Sequence, residues 1–105
     1  MVKSLQKVIW TKKAQSDLHE IYDYIKKDSE DRAIKLRDAI VKKVDILEQG
    51  FIGAGQREEI LRHLKKEYRR LVEGDYKIVY HISKDKVYIN RIFNARRDPR
   101  KLKVK

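Results

Sequence analysis

Apolar residues in the first half of the chain recur with the spacing of two amphipathic helices. A short apolar stretch at 5–10 predicts a strand, and Thr11 is the predicted N-cap of the helix that follows it. Asp28 or Ser29 is expected to cap a second helix. Since few residues separate the helices, they are predicted to pack as an antiparallel hairpin. The two stripes, at three- and four-residue steps, are Ala14, Leu18, Ile21, Tyr22 and Ile25, then Ala33, Leu36, Ile40, Val44 and Leu47. The opposite, polar face of the first helix carries Lys13, Gln15, Asp17, Glu20 and Lys27.

The second half changes to the two-residue alternation of β-strands. Strands are predicted at about 67–73, 76–83 and 86–93, joined by two-residue turns at Gly74-Asp75 and Lys84-Asp85. Residues 50–57 are expected to form a loop, while 58–67 are compatible with either a helical turn or an irregular strand. The pattern therefore predicts one α+β domain over residues 1–105. In it, an N-terminal strand and a helical hairpin pack on an antiparallel sheet that ends in a three-stranded meander.

Two-residue turns fix the strand register, so the two faces of the sheet can be assigned. Residues paired across the strands share a face. One face is apolar apart from two arginines and is expected to meet the helices. It carries Arg69, Leu71, Tyr76, Ile78, Tyr80, Ile82, Val87, Ile89, Arg91 and Phe93. The other face carries both polar and apolar residues. It is either the solvent-exposed face of the sheet or a basic, aromatic-flanked concavity that binds anions. It carries Tyr68, Arg70, Val72, Lys77, Val79, His81, Tyr88, Asn90 and Ile92.

The net positive charge of the chain favours an anionic partner. Most of the excess of basic residues lies in the second half, so partner contacts are expected there. The net charge is +11 over 105 residues, and residues 51–105 hold 16 basic and 7 acidic groups. There is no cysteine and no pair of histidines at ligand spacing, so no metal site and no cofactor is expected. No apolar run approaches the ~20 residues that span a membrane, and the absence of cysteine fits the reducing cytoplasm in which the protein is expected.

Three segments together resemble the RelE/ParE superfamily of bacterial toxins. They are VIWTKKAQSDLHEIYDYI, YRRLVEGDYKIVYHI and VYINRIFNARRDPRKL, and from the first to the last they span nearly the whole chain in that family's order. The resemblance implies a growth-inhibiting toxin of a type II toxin–antitoxin system, neutralised by a cognate antitoxin through an acidic or amphipathic segment. ParE-like members inhibit DNA gyrase, whereas RelE-like members cleave messenger RNA on the ribosome without a metal.

The resemblance places the RelE-like basic positions on Arg70, Lys77 and Arg97, with His81 as a further catalytic candidate if the protein is RelE-like. RelE-like enzymes usually carry a tyrosine or histidine beyond the position of Arg97, but here that segment reads DPRKLKVK. The ParE-like alternative is therefore favoured, and the RelE-like nuclease stays open. A plain basic nucleic-acid-binding module ranks third, because no recognition motif supports it. The expected partner-binding residues are Tyr68, Arg70, Lys77, Tyr88, Arg96, Arg97, Arg100 and Lys101.

Overall fold

The computed structural model describes residues 7–48, 56–57, 68–84 and 86–97. Its elements follow the predicted order, strand, two helices and a strand meander. They are β1 (Lys7–Trp10), α1 (Lys12–Lys26), α2 (Glu30–Glu48), β2 (Gln56–Arg57), β3 (Arg69–Glu73), β4 (Tyr76–Ser83) and β5 (Lys86–Asn94). The predicted helix-or-strand segment 58–67 lies outside the described residues.

The sheet is mixed, with the strand order β1-β5-β4-β3-β2. Strands β3, β4 and β5 form the predicted antiparallel meander, and Gly74 takes a φ of +59° at the first turn, where glycine carries no steric penalty. Strand β1 pairs in parallel with the start of β5, from Lys86 to Ile89. The α+β class is confirmed, but the expectation of a wholly antiparallel sheet is corrected by this parallel edge strand. Part of the predicted loop 50–57 is also strand, since β2 pairs with β3.

Both helices begin at the predicted side-chain caps. The Thr11 hydroxyl oxygen accepts the Ala14 amide at 3.1 Å, and the Ser29 hydroxyl oxygen accepts the Arg32 amide at 3.2 Å. Arg37 of α2 lies over the ring of Tyr22 of α1, 5.3 Å from its centroid. This contact is the one that an antiparallel hairpin with a three-residue connection produces, as the spacing predicted.

One large core fills the space between the helices and the sheet. It contains most of the apolar residues predicted for the helix-facing core. Leu18, Ile25, Leu36 and Ile82 pack against it and are only partly buried, whereas Phe93 belongs to another cluster. Trp10 packs against its margin at the junction of β1 and α1. The matched helical and alternating stripes therefore predicted most of this core.

A β-bulge in β5 changes the predicted faces of the last strand. Pairing follows the predicted register from Ser83–Lys86 to His81–Tyr88, and then shifts between Val79 and Tyr80. Val79 pairs with Arg91 rather than Asn90, and Lys77 pairs with Phe93 rather than Ile92. The assignments of Ile92 and Phe93 were consequently wrong, because one extra residue on β5 reverses the alternation beyond it. Ile92 joins the main core, and Phe93 joins a second cluster on the other face.

The second face of the sheet is not simply a solvent-exposed face. Tyr68, Val79 and Phe93 form a small apolar cluster there, each less than a tenth exposed. His81 and Asn90 are also buried, whereas Val72 is half exposed. The mixed sequence pattern of this face therefore encodes a second, smaller core with basic residues around it.

Thr11 links the start of α1 to the sheet, so its removal should destabilise the protein more than the loss of an ordinary helix cap. Besides capping α1, its hydroxyl donates to the Ile89 carbonyl at 2.8 Å. Thr11→Ala is expected to lower the free energy of unfolding by about 1–2 kcal/mol in urea denaturation. Ser29→Ala, which removes a cap without such a cross-link, should cost about half as much. Equal losses in the two variants would show that the bond to Ile89 contributes nothing.

Candidate functional site

The basic residues of the second face lie on β3 and β4. Arg70 is paired with Val79, and Lys77 stands two residues before Val79 on β4, so the two cations are diagonal neighbours on one face. Both are half-buried, as is Tyr88. The structure thus brings Arg70 and Lys77 together as predicted, at the margin of the cluster that contains Tyr68.

His81 sits inside this face rather than on it. Its Nδ1 lies 2.8 Å from the amide oxygen of Asn90, which requires the hydrogen to be on Nδ1. Its ring stacks on Tyr88 at 5.0 Å and 9°, and forms a T-shaped pair with Tyr68 at 5.5 Å and 73°. With only 7% of its surface exposed, the imidazole has the environment of a structural residue.

Tyr68 is equally enclosed, and burial raises the pKa of its phenol above the ordinary value of 10.0. The cause is desolvation, which disfavours the phenolate. A phenol is protonated at neutral pH even at its ordinary pKa, and burial favours the protonated form of Tyr68 further, which makes it a poor general base. Tyr68 packs in the second cluster, with its ring next to that of His81.

Arg97 lies at a different place, beside α1. Its guanidinium stands 4.3 Å from the ring centroid of Tyr24. It borders a cleft of about 460 Å³ between α1 and the end of β5. Among the described residues, those lining the cleft are Lys13, Ser16, Asp17, Glu20, Ile21, Tyr24, Arg91, Ile92, Phe93, Asn94 and Arg97. Neither Arg70 nor Lys77 lines this cleft, although Lys77 is the cross-strand partner of Phe93.

An ion pair at this cleft joins α1 to the second half of β5, beyond the residues of β5 that pair with β1. Asp17 receives two guanidinium N–H groups from Arg91, at 2.7 and 3.0 Å, and the Ile92 amide at 2.9 Å. The expectation that Asp17 faces solvent was wrong, since its side chain is only 11% exposed. A signal was available: Arg91 fell on the helix-facing side of the predicted sheet, where a lone cation requires a partner.

Arg96 occupies the turn after β5, with its guanidinium 4.0 Å from the Asp75 carboxylate. Arg100 and Lys101, also expected to bind a partner, lie outside the described residues.

No cluster of three or more potential metal ligands occurs within the part of the chain that the structure describes. Within the same part, no helix is long and apolar enough to cross a membrane.

Comparison with known proteins gives a consistent family. Residues 8–99 match the family model described as the ParE toxin of the type II toxin–antitoxin system parDE. A chain of the chromosomal ParDE toxin–antitoxin system from P. aeruginosa superposes with a TM-score of 0.70 at 25% identity, covering 86% of this chain and 96% of that one. A chain of the RelBE2 toxin–antitoxin complex from Mycobacterium tuberculosis shares the fold, with a TM-score of 0.63 at 20% identity, covering 86% and 91%. No curated protein matches significantly. Because the family model spans most of the sequence and the fold agrees with it, the chain belongs to the ParE toxin family of type II toxin–antitoxin systems.

Proposed function

We propose that this ParE-family toxin acts in the cytoplasm by inhibiting DNA gyrase and is neutralised by a cognate antitoxin. Beyond the family itself, the choice of gyrase rests on one observation. His81 is enclosed between Tyr68, Tyr88 and Asn90. A nuclease that uses no metal needs a side chain that exchanges protons with the substrate. His81 is the histidine of the polar face, and it is buried in a hydrogen-bonded aromatic stack.

The RelE-like alternative has one observation in its favour. Arg70 and Lys77 are diagonal neighbours on one face, an arrangement that suits a phosphate. Arg97, the third basic position, stands over Tyr24 in the cleft beside α1. Tyr68 is buried, and its raised pKa keeps it protonated. These positions suit protein contacts better than a convergent site for phosphodiester cleavage.

The antitoxin is proposed to cover the basic surface with an acidic or amphipathic segment. Both similar structures come from toxin–antitoxin systems. The excess of positive charge in residues 51–105 supplies the attraction, and such complementarity speeds association. Contact with the predicted partner-binding residues, including Arg96 and Arg97, belongs to this proposal.

Induction of the toxin in a bacterial host tests the proposed target. Plasmid topology and transcript integrity are followed together, because each reports one alternative. The wild-type protein is expected to cause loss of negative supercoiling before any change in transcript ends. Arg70→Ala, Lys77→Ala and Arg97→Ala provide the comparison, with Arg32→Ala as an exposed charge control on α2. Transcript cleavage by the wild-type protein that disappears in the three variants would establish the RelE-like activity instead.

A further inference from the structure

A groove on the helix side of the sheet is separate from the second face, where Arg70 and Lys77 stand. It has a volume of about 560 Å³ and lies between α1 and α2 beside the end of β1. None of the partner-binding residues predicted from the sequence lines it. Among the described residues, those that line it are Trp10, Gln15, Leu18, His19, Tyr22, Asp23, Lys26, Arg37 and Val41.

Two pairs of side chains, one helical turn apart, give this groove its direction. Arg37 of α2 lies over Tyr22 of α1, 5.3 Å from the ring centroid. Leu18 stands four residues before Tyr22, and Val41 stands four residues after Arg37. Because the helices are antiparallel and residues four apart share a face, Leu18 and Val41 form the next pair. The groove therefore follows the helical hairpin, which suits a helix bound along it.

The apolar residues of the groove are open to water. Val41 is 39% exposed and lies outside the buried stripe of α2, which includes Ile40 and Val44. Leu18 and Trp10 are partly buried and pack against the margin of the main core. Removal of apolar surface from water is favourable, so exposed apolar residues grouped in a groove mark a site for the apolar side chains of a partner.

Two cations stand at one end of the groove. The Lys26 ammonium lies 5.9 Å from the ring centroid of Tyr22, the same ring that Arg37 contacts. Arg37 also pairs with its neighbour Asp38 at 3.3 Å, in an exposed ion pair of the kind that contributes little to stability. This end of the groove can therefore receive the carboxylates of a partner.

The one carboxylate among the described lining residues already has a partner. Asp23 pairs with His19 of the same helix at 3.2 Å, so it does not neutralise the cations at the end of the groove. A second copy of this chain is a poor occupant, because it would bring another net charge of +11 to the interface. The charges of the groove and of the whole chain instead favour an acidic partner.

We propose that this groove is a docking site for an amphipathic helix with acidic flanks on a partner protein. The apolar stripe of the bound helix covers Leu18 and Val41, and its carboxylates meet Lys26 and Arg37. Such a helix presents its apolar anchors at three- and four-residue steps, as the two pairs of the groove require. The site goes beyond the proposed function, since it needs neither gyrase nor the second face of the sheet.

Three designed peptides of about 18 residues, long enough to form a helix, serve as probes. The first carries leucines at three- and four-residue steps flanked by glutamates, the second has lysines in place of the glutamates, and the third has the residues of the first in scrambled order. Fluorescence anisotropy measures their binding to the whole chain at physiological ionic strength. We expect the first peptide to bind at least about tenfold more tightly than the other two.

Val41→Glu and Ile46→Glu form a matched pair of variants. Both residues are aliphatic, lie on α2 and are similarly exposed, at 39% and 38%, but Ile46 does not line the groove. Val41→Glu should weaken the first peptide about tenfold, which corresponds to about 1.4 kcal/mol, because it places a carboxylate among the apolar residues. Ile46→Glu should change its affinity less than about twofold.

Lys26→Gln and its neighbour Lys27→Gln provide the corresponding pair for charge. Lys26 lines the groove and Lys27 does not, so Lys26→Gln alone should weaken the first peptide, by about threefold. Urea unfolding of each variant confirms that the fold is retained.

Equal losses in Val41→Glu and Ile46→Glu would overturn the proposal, as would a first peptide that binds no better than the lysine or the scrambled peptide. Sedimentation of the protein alone adds one further outcome. Self-association that Val41→Glu abolishes would assign the groove to a second copy of the chain and would overturn the proposal as well. All of these outcomes leave the proposed inhibition of gyrase untouched, since no gyrase enters the measurement.

Discussion

Replacement of Asp17 by alanine is expected to lower the free energy of unfolding by about 3–5 kcal/mol, the usual loss when one partner of a buried ion pair is removed. The side chains of Asp17 and Arg91 are only 11% and 10% exposed. Without the carboxylate, the Arg91 guanidinium and the Ile92 amide both lose their acceptor on α1. Since small domains are stable by only about 5–15 kcal/mol, the loss is a large fraction of the total.

Urea denaturation of matched variants separates this effect from ordinary surface charge. Asp23→Ala removes an exposed carboxylate of the same helix, whose partner His19 lies at 3.2 Å, and should cost under about 1 kcal/mol. Asp17→Asn keeps an acceptor for the Ile92 amide and should fall between the two. If Asp17→Ala cost no more than Asp23→Ala, the ion pair would not be what holds α1 against β5.

Ile78→Ala is expected to destabilise the protein by about 2–5 kcal/mol, because it empties a fully buried position in the main core. Ile78 is 0% exposed and lies between its cross-strand partners Leu71 and Ile92. Ile78→Val should cost only about 0.5–1.5 kcal/mol.

Val72→Ala is the matched control for this substitution. Val72 lies on the neighbouring strand with its side chain on the other face, and is 51% exposed. Its truncation should change the unfolding free energy by under about 0.5 kcal/mol. A loss that small for Ile78→Ala would mean that the two faces of the sheet had been assigned the wrong way round.

The sequence carried enough information for the helices, the meander and most of the core, because helical and strand periodicities are local. The bulge was missed because strict alternation was assumed along the last strand, which placed Ile92 on the mixed second face. In hindsight the spacing of Val87, Ile89 and Ile92 shows it: two core residues stand two apart and the next stands three apart. Pairing of β1 with β5 was likewise unpredicted, because it joins the two ends of the chain.

The candidate site was only partly predictable, because local sequence patterns do not specify contacts between distant parts of the chain. Arg70 and Lys77 could be placed on one face, since a two-residue turn fixes the register between them. The Asp17–Arg91 ion pair and the stacking of Arg97 on Tyr24 join residues more than 70 positions apart. Such contacts follow from the packing of α1 against β5, and no local pattern in either segment specifies them.

Supercoiling of relaxed plasmid by purified gyrase, with and without the purified toxin, tests the central claim most directly. A parallel reaction incubates the same toxin with translating ribosomes and messenger RNA. We expect the toxin to suppress supercoiling in a concentration-dependent manner and to leave the messenger RNA intact. Unchanged supercoiling together with ribosome-dependent cleavage would contradict the assignment of gyrase as the target.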